Sequence, residues 1–325
     1  MQVYTSHENV VLVVWYESLQ KPKSYMPTGP KGLLRSVLEV RSREMNASTN
    51  KVAIVTGASR GIGKGCALEL ATLGAIVYVT GRSVSEDDHS LPGTVGQTAT
   101  EIDRLGGHGV AVRCDHRDDE QVQKLFDQVN SAHGRVDVVV NSAFIVPDEL
   151  MSGRKFWQVP LSHWEDMVDV GTRAAYVTSA LAAPGMVERQ TGLIVNISSS
   201  GAEEYAWNVA YGVGKCALDR LTQDTAHELR PEGVSVVSLW PGFVRTERIE
   251  AALASGVTMP TSLSKRLETS ESSRFTGRAA AALAADEDVL RWSGRALTSR
   301  ELADTYDFTD IDGSLPAGPL RNRNE

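Results

Sequence analysis

Positive charge, cysteine pairs and aromatic side chains are all scarce in this chain. Its 325 residues carry a formal net charge of −8, which argues against general nucleic-acid binding, because such surfaces are basic. Aromatic residues make up 6% of it, too few to supply a set of base-stacking platforms. The three cysteines, Cys66, Cys114 and Cys216, show neither CxxC spacing nor an even framework. A reduced, intracellular compartment is therefore expected, with the cytoplasm preferred. The seven histidines are scattered, without HExxH or another ligand pair, so no metal site is predicted. No apolar run approaches the roughly 18 residues that a membrane span needs. The longest near the N-terminus runs from Val10 to Tyr16, so no transmembrane segment is expected.

Residues 1–50 read differently from the rest. They hold Pro22, Pro27 and Pro30, scattered basic residues and no sustained period. Lys21, Lys23, Lys31, Arg35, Arg41 and Arg43 leave an organelle presequence open, but the apolar stretch and cleavage site of a secretory signal are missing. Two other readings are preferred: a disordered extension, or translation that starts at Met45. From Lys51 onward, apolar runs alternate with helical patterns. Strands are expected at 52–55, 76–79, 110–112, 136–140, 193–197 and 234–239. Helices are expected at 61–73, 96–105, 118–133, 162–190, 209–229 and 277–284. This rhythm, with fully apolar strands, predicts an α/β fold: a parallel sheet covered by helices on both faces. One domain is expected over 51–317, with a short tail at 318–325.

The first strand runs into Thr56-Gly57-Ala58-Ser59-Arg60-Gly61-Ile62-Gly63, and a helix follows. Gly57 permits the tight turn, Gly61 lets backbone approach a pyrophosphate, and Gly63 lets helix pack on strand. The helix N-terminus adds N–H groups and a positive dipole end. An acid at the end of the second strand would select NAD through the ribose 2′-hydroxyl. Here that strand ends Val79-Thr80-Gly81-Arg82, without an acid. Arg60 and Arg82 together suit a 2′-phosphate, so NADPH is expected over NADH. Asp115 and the string Asn141-Ser142-Ala143 end the third and fourth strands, where such folds bind ligands. Asp115 would accept from the adenine amine, and the small residues beside Asn141 and Ala143 would leave room for ribose.

Tyr211 and Lys215 lie four residues apart, about a dozen residues after Ser198-Ser199-Ser200. Free tyrosine titrates near 10, so at pH 7 about one phenol in a thousand is ionised. A lysine one turn away shares the tyrosine's helix face, and its charge favours the phenolate. With a serine hydroxyl alongside, the three residues form a proton-transfer unit suited to a carbonyl or an alcohol.

Taken together, Thr56 to Gly63, Asp115, Asn141-Ser142-Ala143, Asn196-Ile197-Ser198-Ser199, Tyr211 to Lys215 and Pro241-Gly242 resemble the short-chain dehydrogenase/reductase family over about residues 50–315. The resemblance implies a single-domain, Rossmann-like, doubly wound parallel sheet. It implies that Tyr211 is the general acid in reduction, and that Lys215 lowers its pKa and binds the nicotinamide ribose. Ser199 would hold the substrate oxygen, with Ser198 as the alternative. Thr246, after Pro241-Gly242-Phe243-Val244, would hold the carboxamide, and Ile62 would meet the cofactor by its backbone. Strings such as Ser238-Leu239-Trp240-Pro241-Gly242 narrow the likeness to one branch of the family, whose substrates imply ketones, steroids and other carbonyl xenobiotics. Two positions depart from the pattern: Gly171 stands where the family's relay asparagine is expected, and Phe144 replaces the final glycine of Asn-Asn-Ala-Gly.

On the substrate side, Phe144, Phe156, Trp157 and Trp207 are expected to line a mainly apolar pocket. Residues 244–276 are expected to form a mobile lid. The leading reading is an NADPH-dependent oxidoreductase that reduces a carbonyl to an alcohol. The alternative is a catalytically weak nucleotide-sensing or scaffold protein on the same fold. The partner is a small molecule, and a homo-oligomer and peripheral endoplasmic reticulum association are left open.

Overall fold

Short apolar strands that bury both faces must lie inside a covered sheet, and the chain builds one. The computed structural model describes residues 51–147, 149–150, 152–255 and 261–319, all within the unit Met45–Glu325. Its strands are β1 (Val52–Val55), β2 (Ile76–Gly81), β3 (His108–Arg113), β4 (Val138–Asn141), β5 (Gly192–Ile197), β6 (Val234–Trp240), β7 (Val244–Arg245), β8 (Glu271–Ser272) and β9 (Ala296–Thr298). Seven of them form one sheet in the order β3-β2-β1-β4-β5-β6-β9, and every neighbouring pair is parallel. β7 and β8 form a separate two-stranded ladder. β1 and β4 are buried along their whole length, whereas the edge strand β3 is half exposed.

The helices are α1 (Gly61–Thr72), α2 (Val95–Arg104), α3 (Asp119–His133), α4 (residues 162–188), α5 (Val209–Leu229), α6 (Glu247–Ala254), α7 (Thr261–Glu268), α8 (Ser273–Ala285) and α9 (Ser299–Tyr306). One face of the sheet packs on Leu70 of α1, Ile102 of α2, Leu283 of α8 and Leu302 of α9. The other packs on Phe126 of α3, Met186 of α4 and Ala226 of α5. Fully burying each such large side chain contributes about 1.5–3 kcal/mol. Local signals set the helix starts. Thr94 caps α2 by accepting from the Gln97 N–H, and Asp118 caps α3 by accepting from the Glu120 and Gln121 N–H groups.

After β3 the chain crosses back to place β4 beside β1. That reversal opens a crevice at the carboxyl ends of β1 and β4, where open α/β sheets bind ligands.

The expected strands and helices are all present, with ends moved by a few residues. Two differences are larger. The expected helix at 162–190 is helical to Glu188, but Glu165–Arg173 is wound as a π-helix, and hydrophobic pattern alone does not distinguish that winding. The expected helix at 277–284 begins earlier, at Ser273, because the Ser272 side chain caps it by accepting from the Phe275 N–H. Within the expected lid, the described residues form β7, α6, α7 and β8. Residues 256–260, the extension at 1–50 and the tail beyond 319 lie outside the described residues.

Candidate active site

β1 leads directly into the glycine loop, and its geometry requires glycine at two places. Gly57 has φ 65°, and a Cβ there would lie 2.7 Å from Ala143 Cα. A Cβ on Gly63 would lie 2.4 Å from the Gly57 carbonyl oxygen. Thr56 Oγ1 accepts from the N–H groups of Ser142 and Ala143, each at 2.9 Å, which ties the ends of β1 and β4 together across the crevice. The Gly61 N–H, at the start of α1, donates to Glu247 Oε2 at 2.8 Å. An anion-binding end is thus already directed at a carboxylate, as its dipole favours.

A cavity of about 280 Å³ follows this loop. Gly57, Ser59, Arg60, Gly61, Ile62, Gly63, Arg82, Asp115, Ala143 and Thr246 all line it, so most of the predicted cofactor residues converge. The bare glycine backbone suits a pyrophosphate, which at the start of α1 would compete with Glu247 for the Gly61 N–H. Arg60 has additional work. Its guanidinium donates to the carbonyls of Leu91, Pro92 and Gly93 and to Ser83 Oγ, pinning the segment after β2 as the cavity wall. Burial draws its pKa down, Glu247 raises it, and Arg248 and Arg82 lower it, so three guanidinium groups share this end. The Asp115 carboxylate is paired with Arg117 at 2.6 Å, whose hydrogen bond is the main reason its pKa falls. Beside it, burial pushes the His116 imidazole down to about 4, and its Nε2 lies 2.8 Å from Thr80 Oγ1.

A second cavity, of about 260 Å³, shares Ile62, Phe144 and Thr246 with the first. Asn141, Ser199, Trp207, Tyr211, Lys215, Pro241 and Val244 line it. The Tyr211 hydroxyl donates to Ser199 Oγ at 2.9 Å. Ser198 instead turns inward and donates to the Lys215 carbonyl at 3.3 Å, which separates the two serines. Lys215 Nζ donates to the Ile197 carbonyl at 2.9 Å. Asn208 caps α5 by accepting from the Tyr211 N–H at 2.8 Å, so the cap also sets the tyrosine's place in the first turn. Trp207, just before the cap, takes φ 61°, a left-handed conformation that is strained for a bulky residue. Asn141 lines the second cavity, but its amide donates inward to Asn196 Oδ1 at 2.8 Å and Ser179 Oγ at 3.2 Å. It braces β4 against β5.

Burial sets the electrostatics here. Desolvation raises the Tyr211 phenol above its ordinary value, while Ser199, Trp207 and Arg266 pull it down. The expectation that Lys215 holds the phenol below its ordinary value is not met here: desolvation is the largest effect, and the lowering comes from Ser199, Trp207 and Arg266. Burial also pushes Lys215 down to about 8, against the attraction of Asp219. Lys215 thus remains mostly protonated at neutral pH, beside a phenol that keeps its proton.

Two predicted substrate residues lie elsewhere. Phe156 and Trp157 are 61% and 69% exposed, pack edge-to-face on each other at 5.2 Å, and line neither cavity. A short 3-10 turn, Phe156–Gln158, holds them on the surface. Three residues at the site carried no motif. Glu247 meets the glycine loop. Glu271 Oε2 accepts from the Gly242 N–H at 2.9 Å and anchors the Pro241-Gly242 turn. Asp219 accepts from Ser238 Oγ at 2.6 Å and from Trp240 Nε1. Only Asp219, one turn beyond Lys215, had a spacing signal that could have marked it.

Comparison with known proteins agrees with this geometry. Residues 51–255 match the family model for short chain dehydrogenase. Dehydrogenase/reductase SDR family member 1 from Mus musculus is 44% identical over 270 residues, spanning 81% of this chain and 84% of the mouse protein. Its Homo sapiens counterpart is 42% identical over the same share. A 3-oxoacyl-[acyl-carrier-protein] reductase from Synechocystis sp. is 31% identical over 207 residues, 63% of this chain and 79% of that protein. Among solved structures, a 7 alpha-hydroxysteroid dehydrogenase complexed with NADH and 7-oxo glycochenodeoxycholic acid superposes with a TM-score of 0.65 at 27% identity, covering 83% of this chain and 97% of the other. The chain belongs to the short-chain dehydrogenase family and is an NAD(P)-dependent oxidoreductase acting on small molecules.

Proposed function

We propose that this protein reduces a carbonyl compound to an alcohol, with NADPH as the preferred cofactor and Tyr211 as the general acid. The observation that carries this reading is the Tyr211–Ser199 hydrogen bond beside a buried, charged Lys215. The bound cofactor supplies the hydride. Ser199 Oγ and the Tyr211 hydroxyl converge on one point, where both can donate to a carbonyl oxygen. A phenol whose pKa is raised by burial is protonated at neutral pH, the form needed to give up a proton in reduction. Lys215 offsets the negative charge that develops on the phenol oxygen. Phe144, Leu150, Trp207 and Phe243 give the second cavity an apolar wall, suited to a ketone with a hydrophobic body; the solved relative is complexed with such a ligand, 7-oxo glycochenodeoxycholic acid. For the cofactor, Arg82 and Arg60 both line the first cavity, close enough for their charges to interact, a donor set suited to a 2′-phosphate. Because Arg60 also holds the cavity wall, Arg82 is the cleaner probe.

The test is NADPH consumption against a panel of steroid, aromatic and quinone carbonyls. The expected result is turnover on at least one apolar ketone, with Arg82→Ala raising KM for NADPH at least tenfold while KM for NADH changes little. Equal effects on the two cofactors would contradict the preference for NADPH, and silence across the panel would contradict the reaction.

A further inference from the structure

Phe144 and Gly171 are far apart in sequence, and each breaks the family pattern by itself. In the structure they touch. A Cβ on Gly171 would lie 3.2 Å from Phe144 Cδ2 and 3.4 Å from Cε2. The ring therefore borders the space left by the missing side chain in the π-wound part of α4, so closely that a Cβ would shift it by a few tenths of an ångström. The ring's other neighbours belong to the reaction. Lys215 Nζ stands 4.7 Å from the Phe144 ring centroid. The ring meets Tyr211 edge-on, with centroids 6.0 Å apart and an interplanar angle of 80°. It also lines both cavities, so it stands at their junction.

Lys215 is 8% exposed, and an ammonium group has three N–H donors to satisfy. The Ile197 carbonyl takes one. A buried charge that is not compensated gives up its proton. An aromatic face within about 6 Å attracts a cation, and more strongly where water is excluded. We propose that Phe144 is a positioning residue that holds the Lys215 ammonium beside Tyr211 on its ring face, and that position 171 is glycine to admit that ring. This rests on the reading of Tyr211 as the acid and Lys215 as its electrostatic partner.

The titratable groups around Lys215 are Asp219 one turn on in α5 and Tyr211 one turn back, with Arg266 of α7 acting on Tyr211. None of these groups is itself altered by a substitution at position 144 or 171. Burial pushes Lys215 down to about 8, and the ring face favours its charged form. Removing that face must lower the midpoint, by about one pH unit for a desolvated contact.

The test uses the full chain labelled with 15N in lysine, with the Lys215 Nζ signal identified by its loss in Lys215→Arg. The midpoint is read by NMR across pH 6–10, so it does not depend on turnover. Phe144→Leu should lower the midpoint by about one unit, Phe144→Tyr should leave it near wild type, and Gly171→Leu, whose side chain takes the ring's place, should lower it. If Phe144→Leu fails to fold, Gly171→Leu decides. An unmoved midpoint in the folded variants would overturn the role of Phe144. The basic limb of kcat for carbonyl reduction should move with the midpoint. A wild-type protein that reduced no carbonyl would remove the proposed reaction, while the titration would still decide the place of Phe144.

Discussion

Glu271 shows how one residue with no sequence signature can govern the site. It is 0% exposed and accepts from the Gly242 N–H, Ser299 Oγ and Thr276 Oγ1. Burial outweighs those bonds and raises its pKa from 4.5 to about 7. The folded state therefore binds a proton that the unfolded state releases between these two values. The contribution of Glu271 to stability is fully present below 4.5 and is lost as pH rises towards about 7. The loss is on the order of 3 kcal/mol at 1.36 kcal/mol per unit. Urea midpoints at pH 5 and pH 8 should differ more in wild type than in Glu271→Gln, which cannot titrate. An identical pH response in the two proteins would show that Glu271 does not carry this loss. The proposed catalytic residues were legible from sequence because Tyr211 and Lys215 share a face through helical spacing. Glu271 was not, because its partners come from three other segments. The exposure of Phe156 and Trp157 was likewise invisible, since an apolar residue in a loop has no period to say which way it faces.

Elements carry the site through their ends. Asn208 satisfies an N–H at the start of α5, and that N–H is Tyr211's own. Asn208→Ala should cost about 1 kcal/mol of stability, as lost N-caps do. It should lower kcat more than it raises KM for the cofactor, because the displaced group is the proposed acid and not the glycine loop. Steady-state kinetics with thermal melts would show this; a change in cofactor KM alone would place the effect elsewhere. Gly63→Ala makes the opposite separation. Its Cβ would meet the Gly57 carbonyl at 2.4 Å, so affinity for NADPH and NADH should fall together, as read by quenching of nucleotide fluorescence, with the Tyr211–Ser199 pair left in place. Most long elements could be read from hydrophobic period, and α5 matches its expected bounds at both ends. β7, β8 and β9 have two or three residues each, too few for a period, and depend on tertiary pairing. The π winding of Glu165–Arg173 escaped for a related reason. Its partners, such as Thr172 Oγ1 donating to the Gly214 carbonyl at 2.9 Å, lie on α5 and not within its own sequence.

At the scale of the whole molecule, the crevice between β1 and β4 couples cofactor binding to folding. A ligand that binds only the folded state stabilises it by about 2.7 kcal/mol at a hundred times its Kd. For a domain of this size that raises Tm by roughly 5–10 °C. NADPH should raise Tm more than NADH at equal concentration, and Arg82→Ala should remove the difference; equal shifts in wild type would count against the 2′-phosphate site. The central claim concerns the proton, and Tyr211→Phe tests it most directly. Removing one hydroxyl deletes the donor to Ser199 and leaves the ring, its packing on Phe144 and the glycine loop unchanged. With a ketone that the wild type turns over, NADPH oxidation by Tyr211→Phe should fall at least a thousandfold while the Kd for NADPH stays within about threefold. Retention of substantial turnover at unchanged cofactor affinity would contradict the assignment of Tyr211 as the acid.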